Sequence, residues 1–300
     1  IQGVNEDVIA GTQSNLSLVY YSLGVYDKAI ELLRESLNQD EEFYGAESIN
    51  YGLSLLVTAV TEIKLGETAS AEEKLKEAQK IFEDGGSLID VGRAQSRLAE
   101  LYVQTGSIDK AKEAGNNSIS NYEKTLGKDH WEITKPMYNL TNALMIYNEL
   151  EEAEKLAIKT YNIRKKALGK KHPLFALSSN QLAILNWKKG NTDKALGYYK
   201  ETFENYFNQI NTFFPVLAEE EKATFYYTNL RPAFEQYVSF IEEPSSENKE
   251  LLGEIYDYQL ALKGLIMYAT SKVSESILSS GDEILIEKFD VSISTRGKPL

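Results

Sequence analysis

The chain has 300 residues, no cysteine, and 45 Asp/Glu against 32 Lys/Arg, for a formal net charge of −13. Disulfides, thiolate metal sites and a cysteine nucleophile are thereby excluded within it, and general nucleic-acid binding, which needs Lys/Arg to displace phosphate counterions, is disfavoured. No stretch is apolar enough for a membrane-spanning helix, and 42% hydrophobic residues supply ample helical core. The first residue is Ile1 rather than Met, so the lack of a signal peptide carries no weight. A cytoplasmic location and protein or peptide partners, with neither nucleic acid nor membrane, are the expectation.

From the start of the chain, Leu16 and Tyr20 lie four apart on one helix face. Gly24 supplies the left-handed residue that ends a helix, and Asp27 favours the free N–H groups of the next. Ala29 permits close helix approach, and Leu33 continues the stripe. This helix–turn–helix grammar recurs. Gly24, Gly66, Gly106, Asn148 and Gly190 stand at intervals of 42, 40, 42 and 42, each followed five residues later by Ala29, Ala71, Ala111, Ala153 and Ala195. Asn148 is the second-best residue for the left-handed conformation. The second unit is the weakest, with Glu62 where Tyr20 and Tyr102 stand. Self-similarity at such a period marks a repeat array, in which each unit buries its apolar face on its neighbours.

The fourth and fifth units carry the cations. From Lys155 to Lys200 eleven Lys/Arg face one acid, Asp193, a local charge of +10 that leaves about −23 elsewhere. Two readings stand: a solvated helix face with lysines at helix C-termini, or a basic docking patch of Arg164, Lys165, Lys166, Lys170 and Lys171 for an acidic partner.

These units resemble the tetratricopeptide repeat, with its Leu…Tyr…Gly-x-Tyr-x-x-Ala skeleton, and the spacing near 42 resembles the longer variety of kinesin light chains. The links Leu126-Gly127-Lys128-Asp129-His130 and Leu168-Gly169-Lys170-Lys171-His172-Pro173 match that variety's Leu-Gly-x-x-His-Pro connection. The resemblance implies an all-α, right-handed superhelix of about five repeats over residues 1–205. It also implies a concave groove lined by the first helix of each repeat. Groove-facing candidates are then Asn15, Arg93, Arg97, Asn139, Asn142, Asn180 and Gln181, whose amides and guanidinium groups suit an extended backbone. The second repeat interrupts this ladder with Leu53, Leu56, Val57 and Val60. His130 and His172, a repeat apart, read as link and helix-start residues rather than a metal or acid–base pair.

After Ala195 the comb stops. Phe203, Tyr206, Phe207, Ile210, Phe213 and Phe214 read as core. Pro215 breaks the run, a helix is expected over about 218–241 with a kink at Arg231-Pro232, and Glu243–Ser246 forms a loop. A second long helix over about 247–279 completes a cap spanning 206–290, and 291–300 reads as a disordered tail. Leu230-Arg231-Pro232-Ala233-Phe234, Tyr258–Leu265 and Ile277–Glu283 resemble the helical lead-in of bacterial TPR–CHAT proteins, whose caspase-like His/Cys peptidase is absent here. No phosphate loop, nucleophile elbow or His-x-x-x-His occurs, so no catalytic residue, metal or cofactor is expected. The expected function is a non-catalytic interaction scaffold regulating a CHAT-type effector. The alternatives are a stand-alone kinesin-light-chain-like adaptor or a peptide sensor in signalling or transcription.

Overall fold

A computed structural model describes residues 13, 15–21, 25–214, 219–242 and 279. The chain divides into two compact units, Ile1–Thr202 and Phe203–Leu300. Among the described residues there is no strand. Residues 15–21 are helical. There follow α1 (Tyr26–Tyr44), α2 (Ile49–Leu65), α3 (Thr68–Asp84), α4 (Leu88–Gln104), α5 (Ile108–Leu126), a 3₁₀ turn (Trp131–Ile133), α6 (Thr134–Ile146), α7 (Leu150–Leu168), α8 (Pro173–Lys188) and α9 (Thr192–Phe213). The first unit is therefore all-α, a stack of helix pairs in which consecutive helices pack on one another.

The comb positions are where the chain reverses. Gly66, Gly106, Asn148 and Gly190 have φ of 82°, 75°, 62° and 76°; Gly24 lies outside the described residues. Asn148 is the one non-glycine among the described residues with positive φ. One residue past each tooth, an N–H reaches back to the carbonyl five residues earlier: Val25 to Tyr20, Glu67 to Glu62, Ser107 to Tyr102, Glu149 to Leu144 and Asn191 to Asn186, all at 2.8–2.9 Å. This is the bond that closes a helix through a left-handed residue and uses an otherwise orphaned carbonyl. The short tooth of 40 residues also has a cause, since α3 has 17 residues where α1, α5 and α7 have 19.

Ala29, Ala71, Ala111, Ala153 and Ala195 are all fully buried. The hairpins close further where Gly52 and Gly92 stand. A Cβ there would come within 2.8 Å of the Phe82 and Tyr122 rings, so these two helix-interior glycines let each ring lie flat against the neighbouring backbone. The first repeat departs from expectation. Leu16 and Val19 stand at comb positions buried in later repeats, as at Leu98, Leu140, Leu182, Leu101 and Leu185, yet are 43% and 51% exposed. In the later repeats the preceding helix pair covers those positions.

In the second unit, α10 (Glu219–Phe225) and α11 (Arg231–Glu242) flank a π turn at Tyr226–Leu230. The expected single helix is interrupted just before Arg231-Pro232, because Pro232 has no N–H and its ring crowds the carbonyl four residues back. Phe203 packs on Phe234 and Tyr237, and Tyr206 on Phe225. Phe203, Tyr206 and Ile210 are buried, in keeping with a core role for that stripe. The expected helix over 247–279, apart from residue 279, and the tail at 291–300 lie outside the described residues.

Candidate functional site

The first helices of the repeats (residues 15–21, α2, α4, α6 and α8) present one row of side chains, and the second helices (α1, α3, α5, α7 and α9) another. Along the first row, α2 contributes Leu53, Leu56, Val57 and Val60, all half-buried. The equivalent places on α4 and α6 are polar. Arg93 is half-exposed and pairs with Asp90 at 2.7 Å. Arg97 donates to both carboxylate oxygens of Glu100, at 2.9 and 3.0 Å. Asn139 donates to the same Glu100 and, at 3.4 Å, to Ser96 Oγ. On α8, Gln181 is buried and donates to Asn142 Oδ1 at 2.7 Å and to the Tyr138 carbonyl at 2.9 Å. Asn15 is exposed and Asn180 half-buried.

Part of the ladder expected from the sequence is engaged within the molecule. Asn139 and Gln181 stitch α6 to α4 and α8 to α6. Burial, then the neighbouring Tyr26, raises the pKa of Tyr21, and the charges of Arg97 and Glu100 act on the same phenol.

On the second row, lysines bridge successive repeats. Lys112 reaches Glu149 and Glu152 at 2.6 and 3.0 Å, Lys159 reaches Glu123 at 2.8 Å, and Lys170 reaches Glu201 at 2.8 Å. Lys189 holds both Glu151 and Glu154. The carboxylates of Glu72 and Glu201 lie on phenols: Tyr102 donates to Glu72 at 2.9 Å and Tyr161 to Glu201 at 2.7 Å. Burial first, and then the Glu72 carboxylate, push the Tyr102 phenol up to about 12.

Arg164 is not part of the surface patch proposed for it. It is 2% exposed and donates to Thr134 Oγ1 at 3.0 Å, to the Thr134 carbonyl at 3.2 Å and to the Leu174 carbonyl at 2.9 Å. Its guanidinium lies 5.1 Å from the Tyr138 ring centroid. Burial lowers its pKa to about 10, still far above neutral pH. Counting from the comb explains the place: sixteen residues past the five teeth stand Asp40, Phe82, Tyr122, Arg164 and Tyr206, all buried. That alignment was available in the sequence; the local run of lysines obscured it. Lys165, Lys166, Lys170 and Lys171 are exposed.

His130 and His172 open helical turns. Their Nδ1 atoms accept from the N–H of Glu132 at 3.3 Å and of Leu174 at 3.1 Å. The equivalent cap in the first link is Ser48, whose Oγ accepts from the Tyr51 N–H at 3.1 Å. Among the described residues no cluster of His, Asp and Glu gathers to hold a metal, and no helix is long and apolar enough to cross a membrane.

A stack of capped helix pairs offering one polar and apolar face along its first helices defines a repeat scaffold that holds other polypeptides. Residues 8–84 and 137–206 match the tetratricopeptide repeat family model; the chain carries tetratricopeptide repeats. Between those segments, Gly106 and Ala111 continue the same geometry. Similar solved folds include the kinesin light chain TPR-like repeats of Podospora anserina, 22% identical with TM-score 0.56 over 67% of this chain and 94% of that one. BtubC from P. vanneervenii is 17% identical with TM-score 0.56, over 81% and 92%. A Rap protein complexed with Competence and Sporulation Factor is 13% identical with TM-score 0.56, over 88% and 75%. Among curated proteins, the RxLR effector protein SFI4 of Phytophthora infestans is 27% identical over 180 residues, 57% of this chain and 51% of that protein. The chain thus spans about half the length of the curated relative it matches.

Proposed function

We propose that this chain is a non-catalytic scaffold whose first-helix face holds an extended protein or peptide segment, and that it regulates a CHAT-type effector. The observation that carries the reading is the change of chemistry along that face. The half-buried apolar group Leu53, Leu56, Val57 and Val60 is followed by Arg93, Arg97, Asn139 and Asn142. An extended segment with one apolar end and polar or acidic residues beyond it complements such a face. Arg93 and Arg97 each hold one carboxylate and keep further N–H donors on a five-donor fork. Asn15, Asn139, Asn142 and Asn180 complete the contact row, with Gln181 as the brace behind it. The Rap protein of the same fold, complexed with Competence and Sporulation Factor, is compatible with this use. The CHAT assignment rests on Leu230–Phe234 and on the two later segments that resemble that lead-in.

The test has two parts. Peptides selected from a displayed library on the wild-type chain are titrated against Arg97→Ala/Asn142→Ala. A loss of about tenfold or more, equivalent to about 1.4 kcal/mol, supports the groove, and unchanged affinity overturns it. For the effector, a His/Cys peptidase domain encoded in frame beyond Leu300 supports the assignment. A stop codon there overturns it, and leaves a kinesin-light-chain-like adaptor or a peptide sensor.

A further inference from the structure

We propose a second docking site on the opposite row, in the groove between α7 and α9, for an acidic partner segment that inserts one aromatic or large aliphatic side chain. A cavity of about 400 Å³ lies there; Ile158, Tyr161, Leu182 and Tyr198 give it an apolar and aromatic wall beside Gly197, and Glu154, Lys194 and Glu201 also line it. That size lies within the range of small-ligand pockets and is roomy for one large side chain.

Two departures from the repeat make this groove unlike the others. Seven residues past the teeth stand Glu31, Glu73, Glu113, Lys155 and then Gly197. Where four repeats set a long charged side chain, the fifth has none, and a Cβ at Gly197 would meet nothing within 4 Å. Ten residues past the teeth stand Arg34, Lys76, Asn116, Ile158 and Lys200. Ile158 is the apolar exception, and it is 43% exposed. One change opens the groove and the other makes it apolar, in the same place. The corresponding groove between α3 and α5 is of similar size, about 380 Å³, but five charged side chains line it, Lys76, Lys80, Glu83, Lys110 and Glu113, against three in the α7–α9 groove.

The charge around the mouth selects the partner. Lys159, Lys170 and Lys189 are neutralised by Glu123, Glu201 and the Glu151/Glu154 pair. The two lining carboxylates, Glu201 and Glu154, are thus already paired, while Lys194 in the lining, and Lys166 and Lys171 on α7 and the link after it, are exposed and, among the described residues, take part in no ion pair. Their field acts over about a Debye length, roughly 8 Å at physiological salt. A short acidic segment feels this local excess, whereas an extended polyanion or an anionic membrane also meets the negative remainder of the chain. The site is distinct from the first-helix face: its walls come from α7 and α9, its floor from Leu182 and Asn186 of α8, and none of Arg93, Arg97, Asn139 or Asn142 lines it.

Anisotropy titrations with a labelled Asp/Glu-rich peptide carrying one central Trp, and with the same peptide carrying Ala instead, test it. The Trp peptide should bind about tenfold tighter than the Ala peptide, a difference of about 1.4 kcal/mol. Gly197→Leu, which fills the cavity, should erase that difference. Lys166→Glu/Lys194→Glu should weaken both peptides several-fold and flatten the salt dependence. Circular dichroism of each variant should match wild type, and Gly197→Ala, which leaves the cavity open, should bind as wild type does. Equal binding of the two peptides, or indifference to Gly197→Leu, overturns the proposal. So does equally tight, Lys166- and Lys194-dependent binding of duplex DNA or phosphatidylserine vesicles. If Arg97→Ala rather than Gly197→Leu abolishes binding, the peptide sits on the first-helix face. That result refutes this site and leaves the proposed function standing.

Discussion

Glu62 in the second repeat and Arg164 in the fourth both bring an ionisable group out of water, yet their surroundings differ. Glu62 stands where Tyr102 stands one repeat later. Its Oε1 is met by Lys74 at 2.9 Å, Ser70 Oγ at 3.1 Å and, more distantly, Arg34 at 3.8 Å, while its Oε2 is buried with no hydrogen-bond partner. Among the described residues, no carboxylate pairs with Arg164. Three backbone or hydroxyl oxygens and the Tyr138 ring face satisfy it instead. A guanidinium spreads its charge over five donors and a flat face, so neutral acceptors and an aromatic ring suffice. A carboxylate offers only acceptor sites and draws a cation to itself. The same repeat frame therefore tolerates either sign, provided that a neighbouring helix supplies the matching group.

Removing Arg164 is the severest way to test this. Arg164→Met should destabilise the array by about 3 kcal/mol in urea titrations, because three buried oxygens each lose a donor. A cost under about 1 kcal/mol would mean that water or relaxation replaces them. Next, Lys74→Met should cost about 2 kcal/mol by stranding Glu62, discounted because Lys74 is partly exposed. Adding Glu62→Tyr, which restores the residue of the third repeat, should bring stability back to within about 1 kcal/mol of wild type. If the double variant is as unstable as Lys74→Met, the shape of the site rather than its charge demands Glu62.

His172→Ala should cost about 1 kcal/mol through loss of an N-cap. The effect should be non-additive with Arg164→Met, since the cap positions the Leu174 carbonyl that Arg164 holds. A double-mutant cycle measures this, and simple addition would show the two to be independent.

The smallest effect is one of pH, and it separates the second repeat from the third. The Tyr102 phenol is raised from an ordinary value near 10 to about 12, so folding favours its protonated form. That stability is fully present below about pH 10 and is lost as pH rises towards about 12. Tyr102→Phe should flatten this alkaline loss in stability measured across that window. An unchanged alkaline slope would assign it to other phenols.

Much of the fold was legible, and the reason is local. Gly66, Gly106, Asn148 and Gly190 announce positive φ by residue type, and five buried alanines follow from the spacing. His130 and His172 announce helix starts beside Leu-Gly links. The proposed binding face was legible only as a row of positions. That Asn139 and Gln181 bond neighbouring helices depends on Glu100, Ser96 and Asn142, which lie about a repeat away in sequence. Arg164 was misplaced because a run of cations hides that one of them occupies a core position.

The amino-acid sequence by itself determined the period, the turns and the helix pairs of this protein. Backbone conformation at a glycine, an asparagine or a capping histidine is selected by that residue and its immediate neighbours. Only the tertiary structure decided which polar side chains remain available to a partner, and that the α7–α9 groove is open. Availability depends on what an adjacent helix sets opposite each group, and an opening on what the next helix fails to fill.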